Sequence, residues 1–321
     1  MYSTGRILRR MALKAMTPFM TKLLDRLLME KGLSESTAQD YIQTLYKLNG
    51  NKPFRNMTWT KDYEAVDANM DGLAESTKLS YYKKIASVLS LLKTYKAQAK
   101  HYNDKTTGKF TAPSSAKTEK QEKNWISQED VILIKKRYAD AVKQIVKKKE
   151  ITDAEYNVIL DYTVLSLYTD IPPRRNKDYA DMEVVAKLTS KMPDDRNYYD
   201  LSTGKFIFNA YKTAKIYGKQ ELDVPPALAD TIALYLTYHP EASKKALRSG
   251  VPLLVQSDGT RLHPVNGITR VLNRVFSRNV GSSMLRHIFL SGKYGGAIEE
   301  RENDATAMGH STTAQTYYIQ K

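Results

Sequence analysis

From Asn103 to Asn124 the chain reads NDKTTGKFTAPSSAKTEKQEKN, polar, small and Lys-rich, with almost nothing apolar. Such a stretch buries too little apolar surface to offset the entropy of ordering its backbone. It therefore reads as a linker, and each flank must build its own core. With 321 residues there is chain enough for two ordinary domains. The expected organisation is a helical unit over 1–102, a linker over 103–124 and a second unit over 125–321.

In the first unit, Leu23, Leu24, Leu27 and Leu28 recur at helical spacing up to a break at Gly32. Ser34 or Ser36 can cap a second helix whose apolar side carries Tyr41, Leu45 and Leu48 and which ends at Asn49-Gly50. A loop with Pro53 and Trp59 follows. A third helix runs from about Ser76 through Tyr81, Ile85, Val88, Leu89 and Leu92.

The second unit opens at Trp125. Ser127 with Asp130 begins a helix bearing Val131, Ile134, Tyr138, Val142 and Ile145, and Lys147 to Lys149 close it. Thr152 and Glu155 have the spacing of a capping box, and the helix they start carries Tyr156, Ile159, Leu160, Thr163 and Leu167 as far as Asp170. Pro172 and Pro173 stop it, and a new helix can start at the arginines Arg174 and Arg175. KFIFNAYK alternates as a strand does, QELDVP is its returning partner, and the turn lies near Lys215 to Gly218. Pro226 starts a helix with Leu228, Ile232 and Leu236. PLLVQSDGTRLHP reads as a short strand and turn, and 264–278 as a further helix. The expected fold class is mainly α with a small antiparallel β-sheet.

Fifty Lys+Arg against 35 Asp+Glu leave a net charge of +15, which points to a polyanionic partner, above all nucleic acid. The chain has no Cys, so a disulfide framework and a cysteine-based metal site are excluded. His239 and His263 each adjoin a Pro without partner ligands at metal spacing and read as structural. No Walker loop, paired acidic metal-nuclease cluster or Gly-rich dinucleotide fingerprint occurs, and no cofactor is expected. The start, MYSTGRILRRMALKAM, is basic and amphipathic but lacks a long apolar centre, so it reads as an arm or first helix. No apolar run approaches a membrane span. An intracellular protein, not secreted and without membrane association, is the expectation.

Gly281 to Lys321 carries the chemistry. It holds Arg286, His310 within Met308-Gly309-His310-Ser311, and the pair Tyr317 and Tyr318. An Arg, a His and a Tyr in this order suit cleavage of a phosphodiester by a tyrosine hydroxyl. Arg286 can hold a non-bridging oxygen with its planar fork. His310 can donate a further hydrogen bond while a Tyr attacks phosphorus as a covalent nucleophile.

MLRHIFLS and MGHS resemble the helix of the second arginine and the Gly-His turn of the tyrosine recombinases, the phage-integrase type, and look most like viral and mobile-element members. The resemblance spans roughly the last 200 residues, with a looser match of STAQDYIQTLYKL to the family's helical core-binding domain. It implies a helical DNA clamp followed by a mixed α/β catalytic domain. Arg175, with Asp178 three residues on, resembles the first-arginine motif, the carboxylate orienting the guanidinium from behind. Arg174 competes but lacks an acid at that spacing. Lys212, at the end of a strand, resembles the hairpin lysine that protonates the leaving 5′ oxygen, with Lys215 and Lys219 as rivals. Two departures stand out. Ser283 occupies the place of the family's His and would give a weaker hydrogen bond. Tyr318 lies eight residues beyond His310, one short of the usual interval, yet it misses by less than Tyr317.

The function so implied is site-specific recombination or integration of a viral or mobile-element genome through a 3′-phosphotyrosyl link, with duplex DNA as partner. Only Ile319, Gln320 and Lys321 follow Tyr318, so a monomer that forms a homo-oligomer, a tetramer on synapsed sites, only on DNA is expected. Two rival readings are a type IB topoisomerase-like or telomere-resolving enzyme and a non-catalytic DNA-binding relative.

Overall fold

A computed structural model describes residues 16–108, 117–263, 266–309 and 311–312. The chain divides into two compact units at Ser115/Ala116.

In the first unit, helices α1 (Pro18–Met29), α2 (Glu35–Leu48), α3 (Tyr63–Ala68), α4 (Glu75–Leu89) and α5 (Lys96–Asp104) enclose one core. Met20, Leu23, Leu27, Ile42, Leu45, Ile85, Val88 and Leu89 fill it. Ser34 caps α2 by accepting the Thr37 N–H at 3.4 Å. The stretch read as a loop after Pro53 contains a 3₁₀ turn, Thr58–Lys61, and α3. Buried Tyr102 on α5 donates to the Thr60 carbonyl at 2.9 Å and so ties that turn to the bundle.

The second unit begins with α6 (Glu119–Asn124), which lies inside the stretch read as linker. Thr118 and Gln121 close a capping box around its first turn, and a local signal of that kind can form a surface helix without any apolar face. Next come α7 (Gln128–Ile145), capped by Ser127, and α8 (Asp153–Thr169), capped by the Thr152–Glu155 box. α8 is buried on nearly every side, with α7, α11 (Pro226–Tyr238) and α12 (Gly267–Phe276) packed around it. Its one buried carboxylate, Asp161, is bound by Arg274 of α12 through two guanidinium nitrogens, Nε at 2.9 Å. Burial nevertheless holds the Asp161 carboxyl above the ordinary range, against the lowering pull of Arg274.

The sheet is mixed, which corrects the antiparallel expectation. Its strands, β1 (Glu183–Val185), β2 (Tyr198–Asp200), β3 (Lys205–Phe208), β4 (Gln220–Asp223) and β5 (Val251–Pro252), lie in the order β4-β3-β2-β1-β5. β1 and β2 run parallel with Glu183 opposite Tyr198, and every other pairing is antiparallel. A parallel pair needs a long crossover, which 186–197 supplies. That crossover covers the outer face of the sheet, where Leu188 and Met192 pack on Val185, Tyr198 and Ile207. The inner face, Val184, Tyr199, Phe206 and Phe208, joins the main core. Both faces are therefore covered, so β1 and β2 show no polar alternation.

His239, after α11, is structural, as read from the sequence. Its Nδ1 accepts the Glu241 N–H at 3.1 Å, which leaves Nε2 to donate to the Pro252 carbonyl at 2.9 Å. Finally α13 (Ser282–Ala307) is long, and no described helix is long and apolar enough to cross a membrane.

Candidate functional site: an arginine cleft beside the β3–β4 hairpin

After α8 ends, Pro172 and Pro173 force the backbone out of helix, and Arg175 takes an extended conformation as N-cap of α9 (Asn176–Ala180). Asn176 locks this turn in place. Its side chain accepts from the Tyr168 hydroxyl of α8 and donates to Thr269 of α12, both at 2.8 Å. The two arginines are thus carried on a short segment anchored to two core helices.

Arg174 is the more tightly held of the two. Its Nε donates to Asp178 Oδ2 at 3.0 Å and its Nη1 to Gln220 Oε1 at 3.0 Å. The guanidinium lies over the Phe208 ring, 3.7 Å from the centroid. Phe208 and Gln220 are register partners at the end of the β3–β4 hairpin, so one pairing of the sheet supplies both contacts. Asp178 is the acid the sequence singled out, but its partner is Arg174, four residues back, not Arg175. The reason is geometric. Arg175 is the capping residue itself and points its side chain away from the first turn that carries Asp178, whereas Arg174 reaches back across it. Asp178 Oδ1 is buried and has no hydrogen-bond partner among the described residues. Burial raises the Asp178 carboxyl, against the lowering effect of Arg174 and then Arg175.

Arg286, on the first turns of α13, donates from Nε to the Ser282 carbonyl at 3.3 Å. Its other N–H groups have no acceptor among the described residues. Arg174, Arg175 and Arg286 line one cleft of about 420 Å3, together with Tyr217 and Thr213 of the hairpin connection. That connection holds the helical turn α10 (Ala214–Tyr217), which ends at Gly218 with φ 66°, a left-handed conformation suited to glycine. Buried Tyr211 pins it by donating to the Gly218 carbonyl at 2.7 Å. Three guanidinium groups converging from separate elements form a site for a doubly charged or diester phosphate.

The other residues singled out by the sequence are distributed as follows. Lys212 is exposed and lies between Tyr211 and Thr213, both of which line the cleft; Lys215 and Lys219 are exposed on the same connection, and Lys219 pairs with Glu221 at 2.9 Å. Ser283 is not in the arginine cleft. It lines a separate groove of about 230 Å3 with Lys120 of α6 and with Met284 and His287 of α13. His310, Tyr317 and Tyr318 lie outside the described residues. Arg174, Gln220 and Tyr217 are the cleft residues that sequence reasoning passed over. The spacing of Arg174 to Asp178 was readable as an i,i+4 pair, whereas Gln220 and Tyr217 enter only through the pairing of β3 with β4.

Searches against family models, curated proteins and solved structures find no match for this chain.

Proposed function

We propose that the protein is a tyrosine-type DNA strand transferase, a site-specific recombinase or integrase acting on a viral or mobile-element genome. The observation that carries this reading is the convergence of Arg174 and Arg175 with Arg286, far apart in sequence, on one cleft. Support also comes from the net charge of +15 and from the motif resemblance of the last forty residues.

In this reading the arginines bind the non-bridging oxygens of the scissile phosphate and stabilise the charge that develops there. The Tyr318 oxygen attacks phosphorus, forming a phosphotyrosyl bond as the bond to the 5′ oxygen breaks. Lys212 delivers a proton to that oxygen. His310 donates a further hydrogen bond. Religation runs the same steps backward from a free 5′ hydroxyl, so the bond energy is retained in the protein–DNA link.

A nicked duplex that loses its 5′ fragment on cleavage would trap the covalent adduct. Recovery of protein-linked DNA after denaturation is the expected result with candidate element ends. Binding without any adduct would leave only a DNA-binding role. Affinity for duplex DNA should also fall steeply with added salt, since Lys and Arg displace condensed counterions. A flat dependence would remove the nucleic-acid reading altogether.

A further inference from the structure

The distal part of α13 is an apolar face without a cover. Leu290, Tyr294 and Ile298 are 50%, 45% and 54% exposed and recur every four residues, which sets them along one side of the helix. A Cβ built on Gly295 or Gly296 would meet nothing within 4 Å. Directly beyond the stripe the helix turns acidic, with exposed Glu299, Glu300, Glu302 and Asp304 in a chain of net charge +15. α7 presents the counterpart. Ile132 and Leu133 are 60% and 47% exposed, and Lys136 and Arg137 follow one turn later, exposed and without an acidic partner among the described residues.

We propose that the distal face of α13 docks on α7 of a second copy of this chain. Each helix carries its apolar residues first and its charges after them. A parallel alignment therefore sets Leu290, Tyr294 and Ile298 against Ile132 and Leu133 while the acids meet Lys136 and Arg137. Within one copy α13 meets α7 only near its start, where Gly292 adjoins Gln128, and this leaves Ile132 and Leu133 open. Charge complementarity selects this partner over a nonspecific apolar surface and over a like-with-like α13 pair, which would bring acids together. Five side chains, each about half exposed, offer much less than the roughly 1,200 Å2 of a stable interface. The contact is accordingly weak in dilute solution and forms when copies are concentrated or held side by side on one ligand. Joining two different faces makes it head-to-tail, so it can repeat from copy to copy.

The absence of Cys makes introduced thiols unique. Copies carrying Tyr294→Cys would be mixed at high concentration with copies carrying Ile132→Cys and treated with a short bismaleimide, without DNA. The expected product is the mixed dimer. Its yield should drop several-fold with Glu299→Lys and Glu300→Lys, and return when the partner carries Lys136→Glu and Arg137→Glu. Three results would overturn the proposal: only like-with-like dimers, no dimer at millimolar protein, or a yield indifferent to the charge changes. So would slow maleimide labelling of Tyr294→Cys in the dilute monomer, since the chain's own 313–321 would then be the occupant. Because no DNA is present, failure here is distinct from failure of the strand-transfer reading.

Discussion

Arg174 and Asp178 form a 3.0 Å ion pair across the first turn of α9, with the carboxylate almost fully buried and the guanidinium open to the cleft on one side. A guanidinium fixed in this way, by carboxylate, amide and ring together, is pre-organised for an anion and loses little freedom on binding. Arg175 has no such support. Arg174→Ala should therefore lower adduct formation by about 10² to 10³, the cost of removing one pre-organised donor. Arg175→Ala should cost about tenfold or less, as expected of a single exposed charge contact. Single-turnover cleavage of a nicked substrate measures both, and the reverse order would restore Arg175 as the principal arginine.

Ser283 gives a second contrast on the same helix. It faces the groove with Lys120 and His287, whereas Arg286 faces the arginine cleft. Ser283→Ala should leave the cleavage rate within a few-fold of wild type, at most the worth of one neutral hydrogen bond, about 1 kcal/mol. Arg286→Ala should abolish cleavage. Comparable losses from the two would mean that the bound substrate draws Ser283 into the reacting centre.

The stretches that can be read from sequence are those whose signal is local. Ser127 and the Thr152–Glu155 box act within one helical turn, and both cap as expected. The mainly helical character follows from apolar spacing. What stayed hidden depends on distant partners. Glu183–Val185 and Tyr198–Asp200 show no alternation because 186–197 covers the face that would otherwise be polar. The Arg174–Asp178 pair needs the β3–β4 hairpin beneath it before its geometry means anything. α6 is the instructive miss, since Thr118 and Gln121 stand at capping-box spacing and only the lack of apolar residues hid it.

His239 predicts a pH response of stability. Burial lowers its pKa below 6.5, and the Glu241 N–H occupies the lone pair that a proton would need. The unfolded chain therefore binds a proton near pH 6.5 while the native state resists it. The stabilisation is present above pH 6.5 and is lost as pH falls from there toward the depressed native value. Urea midpoints between pH 8 and pH 5 should decline through this window, and His239→Gln should flatten the decline. An equally steep decline in the variant would assign the effect to other groups.

Arg274→Met tests the buried end of its ion pair. It strands the Asp161 carboxylate between α8 and α12, which should cost roughly 3 kcal/mol near neutral pH. Burial already raises the Asp161 pKa with Arg274 present, and losing the cation raises it further. The variant should thus recover stability relative to wild type as pH falls and Asp161 takes up a proton. Chemical denaturation at pH 7 and pH 5 measures this, and a loss unchanged between them would show that Asp161 is solvated in the variant.

The attacking residue is the sharpest test of the proposed chemistry. Tyr317 and Tyr318 are adjacent, so on a helix they would diverge by about 100° and only one could face the phosphate. Spacing from His310 favours Tyr318, because reach to phosphorus is a geometric demand that flanking residues do not change. The cleft adds a third candidate. Tyr217 lines it beside the arginines, and its ring is largely exposed on α10. Its neighbours Thr213 and Lys215 fit it better for gripping the DNA strand than for attack, since a nucleophile on the connection that carries the general acid would have to approach from the leaving-group side. In-line displacement needs the two on opposite sides of phosphorus. Tyr318→Phe should therefore abolish the adduct while DNA binding survives, whereas Tyr317→Phe and Tyr217→Phe should each retain it. Peptide mapping of the trapped complex decides among the three. Nucleotide on Tyr317 would shift the assignment by one residue and leave the chemistry intact. Nucleotide on Tyr217 would require Lys212 to give up its role as acid, because both sit on one short connection.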